Sequence, residues 1–370
     1  MTMIINDIKL DFSDVLFVPQ RSTWDTPQHR SAVDLTREFR FKHCKNTMTC
    51  VPIIAANMDS TGTLEMAAKL SENGILTALH KFYDNKKLFE YFAKDTKERS
   101  HTFYSMGISD NDFEKFKESF VYMELSTNLI CIDVANGYTE KFVDYVRKVR
   151  ELVGSSCVIM AGNVVTPDIT IELIRAGADI VKVGIGSGSV CTTRKVAGVG
   201  YPQFSAILEC ANAAHGQGGH ICSDGGIVQI ADFAKAFGAG ADFVMAGSMF
   251  AGHDECGGEI IYEEDVKAVT EGGKGTLFHV GKGKPTKMKY HGMSSKEAML
   301  EHYGEKASYR AAEGKEVLVD YKGPVSNTIE EILGGIRSTC TYVGARKLKD
   351  IPKCAQFIQV NRTHNTIYGE

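Results

Sequence analysis

The chain has 370 residues and a formal net charge of −4, from 42 Lys and Arg against 46 Asp and Glu. This near-neutral balance argues against a nucleic-acid partner, and a hydrophobic content of 43% excludes a largely disordered chain. No apolar run approaches the ~20 residues of a membrane-spanning helix, and the N-terminal segment has no secretory signal pattern. The composition therefore predicts a globular protein that binds neither nucleic acid nor membrane.

From about residue 50 to 250, short apolar runs alternate with amphipathic segments. Runs of this kind are typical of strands buried on both faces of a parallel sheet. Eight of them predict an α/β protein with a TIM (β/α)8 barrel, and a doubly wound open sheet is the alternative. The predicted strands are 51–57, 75–79, 102–108, 129–135, 157–163, 179–184, 219–225 and 242–247.

Two of these units repeat one pattern. The sequences AGADIVKVG and AGADFVMAG align on Asp179 and Asp242. Two βα units that lie two positions apart in one barrel would explain this internal repeat. Helix boundaries are also visible, because Thr166 and Pro167 precede one helical segment and Gly177 follows it.

Two later segments depart from the alternation. Residues 257–291 are rich in Gly and Lys and predict a mobile flap after the eighth strand, in which FHV and MKY form an exposed hairpin; a solvated loop is the alternative. Residues 292–370 follow with a helix-like stretch, a loop and the sequence NTIEEILGGIRSTCTYVGARKLKDI, and we expect them to complete the same domain. We therefore expect residues 1–370 to form a single catalytic barrel domain.

The ten cysteines predict mostly buried thiols in a reducing, cytoplasmic compartment, since none forms a C-x-x-C pair. Cys191 differs, because it lies in the glycine-rich segment GIGSGSVCTTR (184–194) at the end of the sixth strand. Arg194 follows three residues later, and a nearby positive charge lowers the pKa of a thiol. The pattern favours a nucleophile with an ion held by the loop backbone; a turn with an incidental cysteine is the alternative.

Glycine-rich turns also end the seventh and eighth strands, as SDGG (223–226) and AGSM (246–249). Loops at these two positions commonly form the phosphate site of a barrel, and Asp224 is placed to accept hydrogen bonds from ribose hydroxyls. Two ordinary turns are the alternative. Asp133, at the end of the fourth strand, either orients a ligand or caps the next helix. The segment RAAEG (310–314) by itself is typical of a solvated turn.

Together, GIGSGSVCTTR, GVGYPQ, SDGG, GMSS, RAAEG and LGGIRSTCTYVGA resemble the GMP reductases, in the superfamily of IMP dehydrogenase and GMP reductase. The resemblance covers nearly the whole chain, from LDFSDVLFVP to LGGIRSTCTYVG. Arg194, where the dehydrogenases usually have glutamine, favours the reductases. The short region between strands two and three leaves no room for the paired CBS domains usual in the dehydrogenases.

The resemblance implies NADPH-dependent reductive deamination of GMP to IMP and ammonia, in purine salvage. It also implies a thioimidate between a cysteine and purine C2, a homotetramer with a cofactor site shared between subunits, and a bound monovalent cation, potassium. Cys191 is then the nucleophile, and Thr193 acts with Glu313 to protonate the departing ammonia.

The resemblance also implies the binding residues. The substrate residues are Asp224, Gly225, Gly226, Gly247, Ser248, Gly292, Met293, Ser294, Arg310, Ala311, Ala312 and Gly314. The cofactor residues are Arg30, Lys81, Asp133, Val134, Ala135, Ile185, Gly186, Ser338, Thr339, Cys340 and Thr341. The cation residues are Gly186, Gly188, Cys191 and Arg194.

Two positions depart from the family pattern. Ser187 replaces a usual proline in the cation loop, and Ser248 replaces a usual glycine in the phosphate loop. Two other functions remain open: an IMP dehydrogenase, whose usual Arg-Tyr pair is absent from residues 257–291, and a catalytically silent barrel that binds purine nucleotides.

Overall fold

A computed structural model describes residues 5–361, apart from 22, 24, 25, 28, 95, 123–127, 272, 273 and 304–310. The strands are Val15–Phe17 (β1), Arg37–Arg40 (β2), Thr47–Ala55 (β3), Ile75–Ala78 (β4), Thr102–Met106 (β5), Leu129–Asp133 (β6), Val158–Val164 (β7), Ile180–Val183 (β8), His220–Asp224 (β9), Phe243–Ala246 (β10), Ile260–Glu271 (β11), Lys274–His291 (β12), Glu316–Asp320 (β13) and Phe357–Gln359 (β14).

The α-helices are Leu64–Ser71 (α1), Asn85–Phe92 (α2), Lys97–Ser100 (α3), Asp110–Lys117 (α4), Glu140–Val153 (α5), Pro167–Ala176 (α6), Thr193–Val196 (α7), Gln203–Gly216 (α8), Ile230–Gly238 (α9), Lys296–Tyr303 (α10), Val325–Val343 (α11) and Ile351–Cys354 (α12). Within the described residues, no helix is both long enough and apolar enough to cross a bilayer.

Strands β3 to β10 are parallel and pair in chain order. The sheet closes because β10 also pairs with β3, with Val244 opposite Ile53 and Ala246 opposite Ala55. This closure confirms the barrel and excludes the open sheet. All eight predicted strands are present, and the continuous apolar runs explain why: strand residues such as Ile53, Ile130 and Ile180 have no exposed surface.

Helices surround the barrel and bury their apolar faces against it. Helix α6 begins at Pro167 after Thr166 and ends before Gly177, which has a φ of +122°, so the predicted helix boundaries are confirmed. Helix α11, from the C-terminal segment, packs between α1 and α9 and completes the outer ring. The C-terminal segment thus belongs to the barrel's own packing.

The two units of the internal repeat occupy equivalent positions, at the starts of β8 and β10. Asp179 accepts hydrogen bonds from the backbone N–H of Ile159 and from Arg150, both within 3.0 Å. Asp242 likewise accepts from the backbone N–H of Ile221, and it pairs with Arg37 at 2.6 Å. Each carboxylate is buried and satisfied by charge and backbone together. The repeated aspartates therefore stabilise the amino end of the barrel, which lies opposite the strand ends that carry functional groups.

The segment after the eighth strand forms a β-hairpin of β11 and β12, to which β13 adds a third antiparallel strand. The prediction that FHV and MKY pair with each other as the two strands of a hairpin is wrong. Both sequences lie in β12, and both pair with β11. The glycines and lysines between them do not form the turn, because β12 continues through them with register shifts opposite β11. Met288 and Tyr290 are also buried rather than exposed. The mobility of this hairpin stays a prediction.

Candidate active site

The carboxyl ends of the barrel strands surround an open cavity of about 1170 Å³. Loops after β3 and β6 to β10 contribute to its wall, together with the end of β12 and Glu313. Functional groups of barrel enzymes come from these same strand ends. Sequence-predicted residues that line the cavity are Asp133, Val134, Ala135, Ile185, Gly186, Gly188, Cys191, Thr193, Asp224, Gly225, Gly226, Gly247, Ser248, Gly292, Met293, Ser294 and Glu313.

The cysteine loop leaves β8 through backbone conformations that suit glycine. Gly186 has a φ of +76°, and a Cβ there would lie 3.1 Å from the carbonyl oxygen of Val199. The start of the loop therefore lies close to the backbone of Val199, which follows the loop. The backbone N–H of Cys191 then donates to the carbonyl of Gly188 at 3.1 Å. This turn presents the half-buried thiol to the cavity.

A hydrogen-bonded chain joins the three predicted catalytic side chains. The thiol of Cys191 donates to Oγ1 of Thr193 at 3.2 Å, and that hydroxyl donates to Oε2 of Glu313 at 2.7 Å. Thr193 and Glu313 are 120 residues apart in sequence. The arrangement provides a directed path for a proton from sulfur to carboxylate.

Backbone hydrogen bonds hold Glu313 beside the cysteine loop. The N–H of Thr192 donates to the carbonyl of Glu313 at 2.9 Å, and the N–H of Lys315 donates to the carbonyl of Val190 at 3.1 Å. The N–H of Glu313 donates in turn to the carbonyl of Ser294 at 3.1 Å. The segments GIGSGSVCTTR, GMSS and the end of RAAEG are thereby brought together. Residues 311–314 are thus not a free solvated turn, whereas Arg310 lies outside the described residues.

The turns after β9 and β10 lie side by side at the cavity wall. Gly225 and Gly226 have φ values of +94° and +79°, which few other residues adopt. Ser248, one of the two departures from the family pattern, donates its hydroxyl to the carbonyl of Ile227 at 3.3 Å and so joins the two turns. A Cβ on Gly247 would lie 2.6 Å from the hydroxyl of Tyr290. The wall therefore combines backbone turns with two hydroxyl groups.

Ser187, the other departure, also makes a specific contact. Its hydroxyl donates to the carbonyl oxygen of Asp224 at 3.2 Å. The cysteine loop is thereby attached to the end of β9. The serine supplies a link between loop and strand that a proline could not make.

The cavity residues that sequence reasoning missed include Lys182, Asn163, Asn57 and Tyr290. Lys182 lies inside the apolar strand DIVKVG, and a charge in a buried strand was the signal that could have identified it. Its ammonium contacts Asp133 and Asp224, at the ends of neighbouring strands. Burial lowers the pKa of Lys182, but the two carboxylates outweigh burial and raise it well above its usual value.

Asp133 does not cap the following helix, because α5 begins after Thr139, whose hydroxyl accepts from the N–H of Phe142. Instead its carboxylate lies 2.6 Å from Lys182 and also contacts the side chain of Asn57. Burial raises the pKa of Asp133, but the ammonium outweighs burial and lowers it. The carboxylate is therefore a charged group of the cavity wall.

Several predicted cofactor residues lie elsewhere. Arg30 is exposed, in a short helical turn that packs against α11, and Ser338–Thr341 lie on α11 itself. The side chain of Cys340 is buried in the core. Lys81 follows β4, with its ammonium 5.6 Å from the centroid of the Phe82 ring. None of these residues lines the described cavity.

The charge of Arg194 is engaged away from the thiol. Its guanidinium donates to the carboxylate of Asp11 at 3.1 Å and to the carbonyl of Tyr201 at 2.8 Å. The hydrogen-bond partner of the Cys191 thiol is Thr193. Among the described residues, no cluster of three or more His, Cys, Asp or Glu suits a metal ion. A cation in this loop would instead rely on backbone carbonyl groups.

Comparison with known proteins identifies the family to which this sequence belongs. Residues 9–366 match the family model of the IMP dehydrogenase / GMP reductase domain. The chain belongs to this family. Curated proteins named GMP reductase are similar over 99% of both chains: one from Shewanella pealeana is 53% identical over 368 residues, one from Photobacterium profundum 53% over 370, and one from Vibrio cholerae 52% over 369. The resemblance noted from the cysteine loop is thereby confirmed.

Proposed function

We propose that this protein is a GMP reductase, which converts GMP to IMP and ammonia with NADPH as reductant, in purine nucleotide salvage. The observation that carries the proposal is the hydrogen-bonded chain of Cys191, Thr193 and Glu313 at the wall of the cavity. The family match and the names of the relatives give independent support.

The thiol supplies the nucleophile. Hydride cannot readily displace an amine from C2 of the purine, whereas a thiolate can add to that carbon. Sulfur forms a bond to C2, the C2–N bond breaks, and ammonia leaves a thioimidate on Cys191. Addition of hydride at C2 then breaks the C–S bond, so that sulfur leaves as a thiolate, which takes a proton from solvent, and IMP is released.

Thr193 and Glu313 move the protons of this sequence. The thiol proton passes to the Thr193 oxygen while the threonine proton passes to the Glu313 carboxylate, along the 3.2 Å and 2.7 Å contacts. Glu313 then returns a proton to Thr193, and the threonine hydroxyl donates a proton to the departing amine. One proton relay thus serves both formation of the nucleophile and departure of the leaving group.

The cavity wall opposite this relay suits the ribose phosphate. The turns at Gly225, Gly226 and Gly247 offer backbone N–H groups to phosphate, with the hydroxyls of Ser248 and Tyr290 beside them. The base would lie against Met293 and Ser294, close to the thiol.

The wall at Asp133, Val134, Ala135, Ile185 and Gly186 leaves space for the nicotinamide ring in the same cavity. NADPH supplies the hydride when it is bound. Ser338, Thr339 and Thr341 lie on α11, outside this cavity. We propose a homotetramer in which α11 of one subunit reaches the cofactor of its neighbour. Arg30 lies in a turn that packs against α11, and we propose that it contacts the extra phosphate of NADPH.

We also propose potassium at the carbonyl groups of the cysteine loop, near Gly186, Gly188, Cys191 and Arg194. Two contacts within the loop support this proposal: a Cβ on Gly186 would lie 2.8 Å from Cγ of Arg194, and the N–H of Cys191 donates to the carbonyl of Gly188. Ten cysteines that are all free thiols support a cytoplasmic location.

The decisive experiment gives the purified protein GMP and NADPH. We expect NADPH oxidation with release of one ammonia per turnover. Cys191→Ala should abolish turnover and keep GMP binding, and Thr193→Val should slow turnover by about 10²–10⁴-fold, the usual contribution of general acid–base catalysis. NAD reduction with IMP, without activity on GMP, would instead indicate an IMP dehydrogenase, and nucleotide binding without either reaction would indicate a silent barrel.

A further inference from the structure

The wall between the two halves of the cavity contains one buried ammonium group. The side chain of Lys182 is 3% exposed, and Nζ lies 2.5 Å from Oδ2 of Asp224 and 2.6 Å from Oδ1 of Asp133. Asp224 belongs to the nucleotide half of the cavity and Asp133 to the cofactor half. A single charge therefore contacts both halves.

The contacts of Asp224 leave one oxygen for a ligand. Nδ2 of Asn163 donates to Oδ2 at 2.9 Å, and Lys182 donates to the same oxygen. The described hydrogen bonds of this carboxylate thus end on Oδ2, while Oδ1 belongs to a side chain that lines the cavity and is 20% exposed. Two donors on Oδ2, one of them charged, restrain the rotation of this carboxylate at the cavity wall.

The surroundings indicate that the charge of Lys182, and not only its volume, matters at this position. An isolated ammonium in this position would be unfavourable, and a pair of unneutralised carboxylates would repel each other. The other titratable neighbours, Cys131 and Cys222, are buried thiols whose pKa is raised by burial, so they remain uncharged. Removal of the ammonium would leave both carboxylates without their shared cationic partner.

We propose that Lys182 is a positioning residue that orients Asp224 towards the ribose hydroxyls of the nucleotide and ties it to Asp133 on the cofactor side. The inference rests on the proposed function for the identity of the nucleotide. It predicts that loss of the ammonium weakens GMP binding even where the protein folds normally.

The test measures GMP binding by calorimetry without cofactor. We expect Lys182→Met to weaken GMP binding about tenfold or more, the effect of losing a charge-assisted hydrogen-bond anchor. Lys182→Arg should restore most of the affinity, because a guanidinium can reach both carboxylates. In steady-state assays the Met variant should raise the KM for GMP, whereas a purely structural lesion would lower the active fraction and leave KM unchanged.

Lys235 provides a matched control, because its side chain is also 3% exposed and lies 3.6 Å from the carboxylate of Asp232, outside the cavity. Lys235→Met should lower thermal stability and keep the affinity for GMP. Equal loss of affinity in the variants of Lys235 and Lys182 would overturn the proposal.

A double variant covers the case in which Lys182→Met does not fold. Lys182→Met with Asp133→Asn leaves one carboxylate, with the same summed charge of about −1 as the ammonium and two carboxylates. We expect it to fold and to bind GMP more weakly than Asp133→Asn alone. Unchanged affinity in a folded variant that lacks Lys182 would refute the positioning role. Failure of the unaltered protein to release ammonia from GMP would refute the proposed function instead.

Discussion

We expect His80 to make a large contribution to the pH dependence of stability. It follows β4, its ring stacks on Tyr83 with centroids 4.0 Å apart, and Nδ1 accepts from the backbone N–H of Phe82 at 3.3 Å. Burial lowers the pKa of His80 from 6.5 to about 4, although the charge of Asp59 opposes this effect. The imidazole is therefore neutral at physiological pH.

The sign of the effect follows from the lowered pKa. Below pH 6.5 the unfolded chain binds a proton at His80 before the folded chain does, so acid favours unfolding. The contribution is fully present above pH 6.5 and is lost as the pH falls towards 4. A difference from 6.5 to about 4 corresponds, at about 1.36 kcal/mol per pKa unit, to about 3 kcal/mol overall and about 2 kcal/mol by pH 5.

The assay compares urea unfolding at pH 7.5 and pH 5 for the unaltered protein and His80→Gln. Glutamine keeps an acceptor for the N–H of Phe82 and does not titrate. The pKa values of His101, His220 and His253 are also shifted from 6.5, but these residues are present in both proteins, so their contributions largely cancel in the comparison. We expect the variant to lose about 2 kcal/mol less than the unaltered protein between these pH values. An equal loss in both proteins would refute the assignment of a neutral, buried His80.

Two further predictions concern the cysteine loop and the amino end of the barrel. Gly225→Ala places a Cβ 2.5 Å from the hydroxyl of Ser187 in the cysteine loop, at a backbone φ of +94°. We expect it to reduce turnover at least tenfold, because it displaces the loop that carries the thiol. Gly216→Ala, whose Cβ would have no atom within 4 Å, should leave turnover unchanged. Arg150→Met removes the cationic partner of the buried Asp179 carboxylate and should lower the free energy of unfolding by about 3–5 kcal/mol. Arg147→Met, on the exposed face of the same helix, should lower it by less than about 1 kcal/mol. Steady-state kinetics check the first pair and urea unfolding checks the second; similar effects within either pair would contradict the reasoning.

The strands could be predicted because their signal is local. A strand buried on both faces needs a continuous apolar run, and each of the eight strands can be recognised by such a run of a few residues. The cysteine loop was also visible locally, since its glycines and Cys191 are close in sequence. The hairpin arms could not be predicted in this way, because β12 runs through Gly and Lys residues that normally indicate a turn.

The sequence by itself determined the positions of the eight strands along the chain, the helix boundaries at Pro167 and Gly177, and the motif that contains Cys191. Tertiary structure alone decided that the sheet closes, that Thr193 lies 2.7 Å from Glu313 across 120 residues, and that Lys182 joins Asp133 to Asp224. The physical reason is range. Apolar periodicity and glycine dihedrals act within a few residues, whereas the contacts of a charge in the cavity wall depend on which strand ends the closed barrel places side by side.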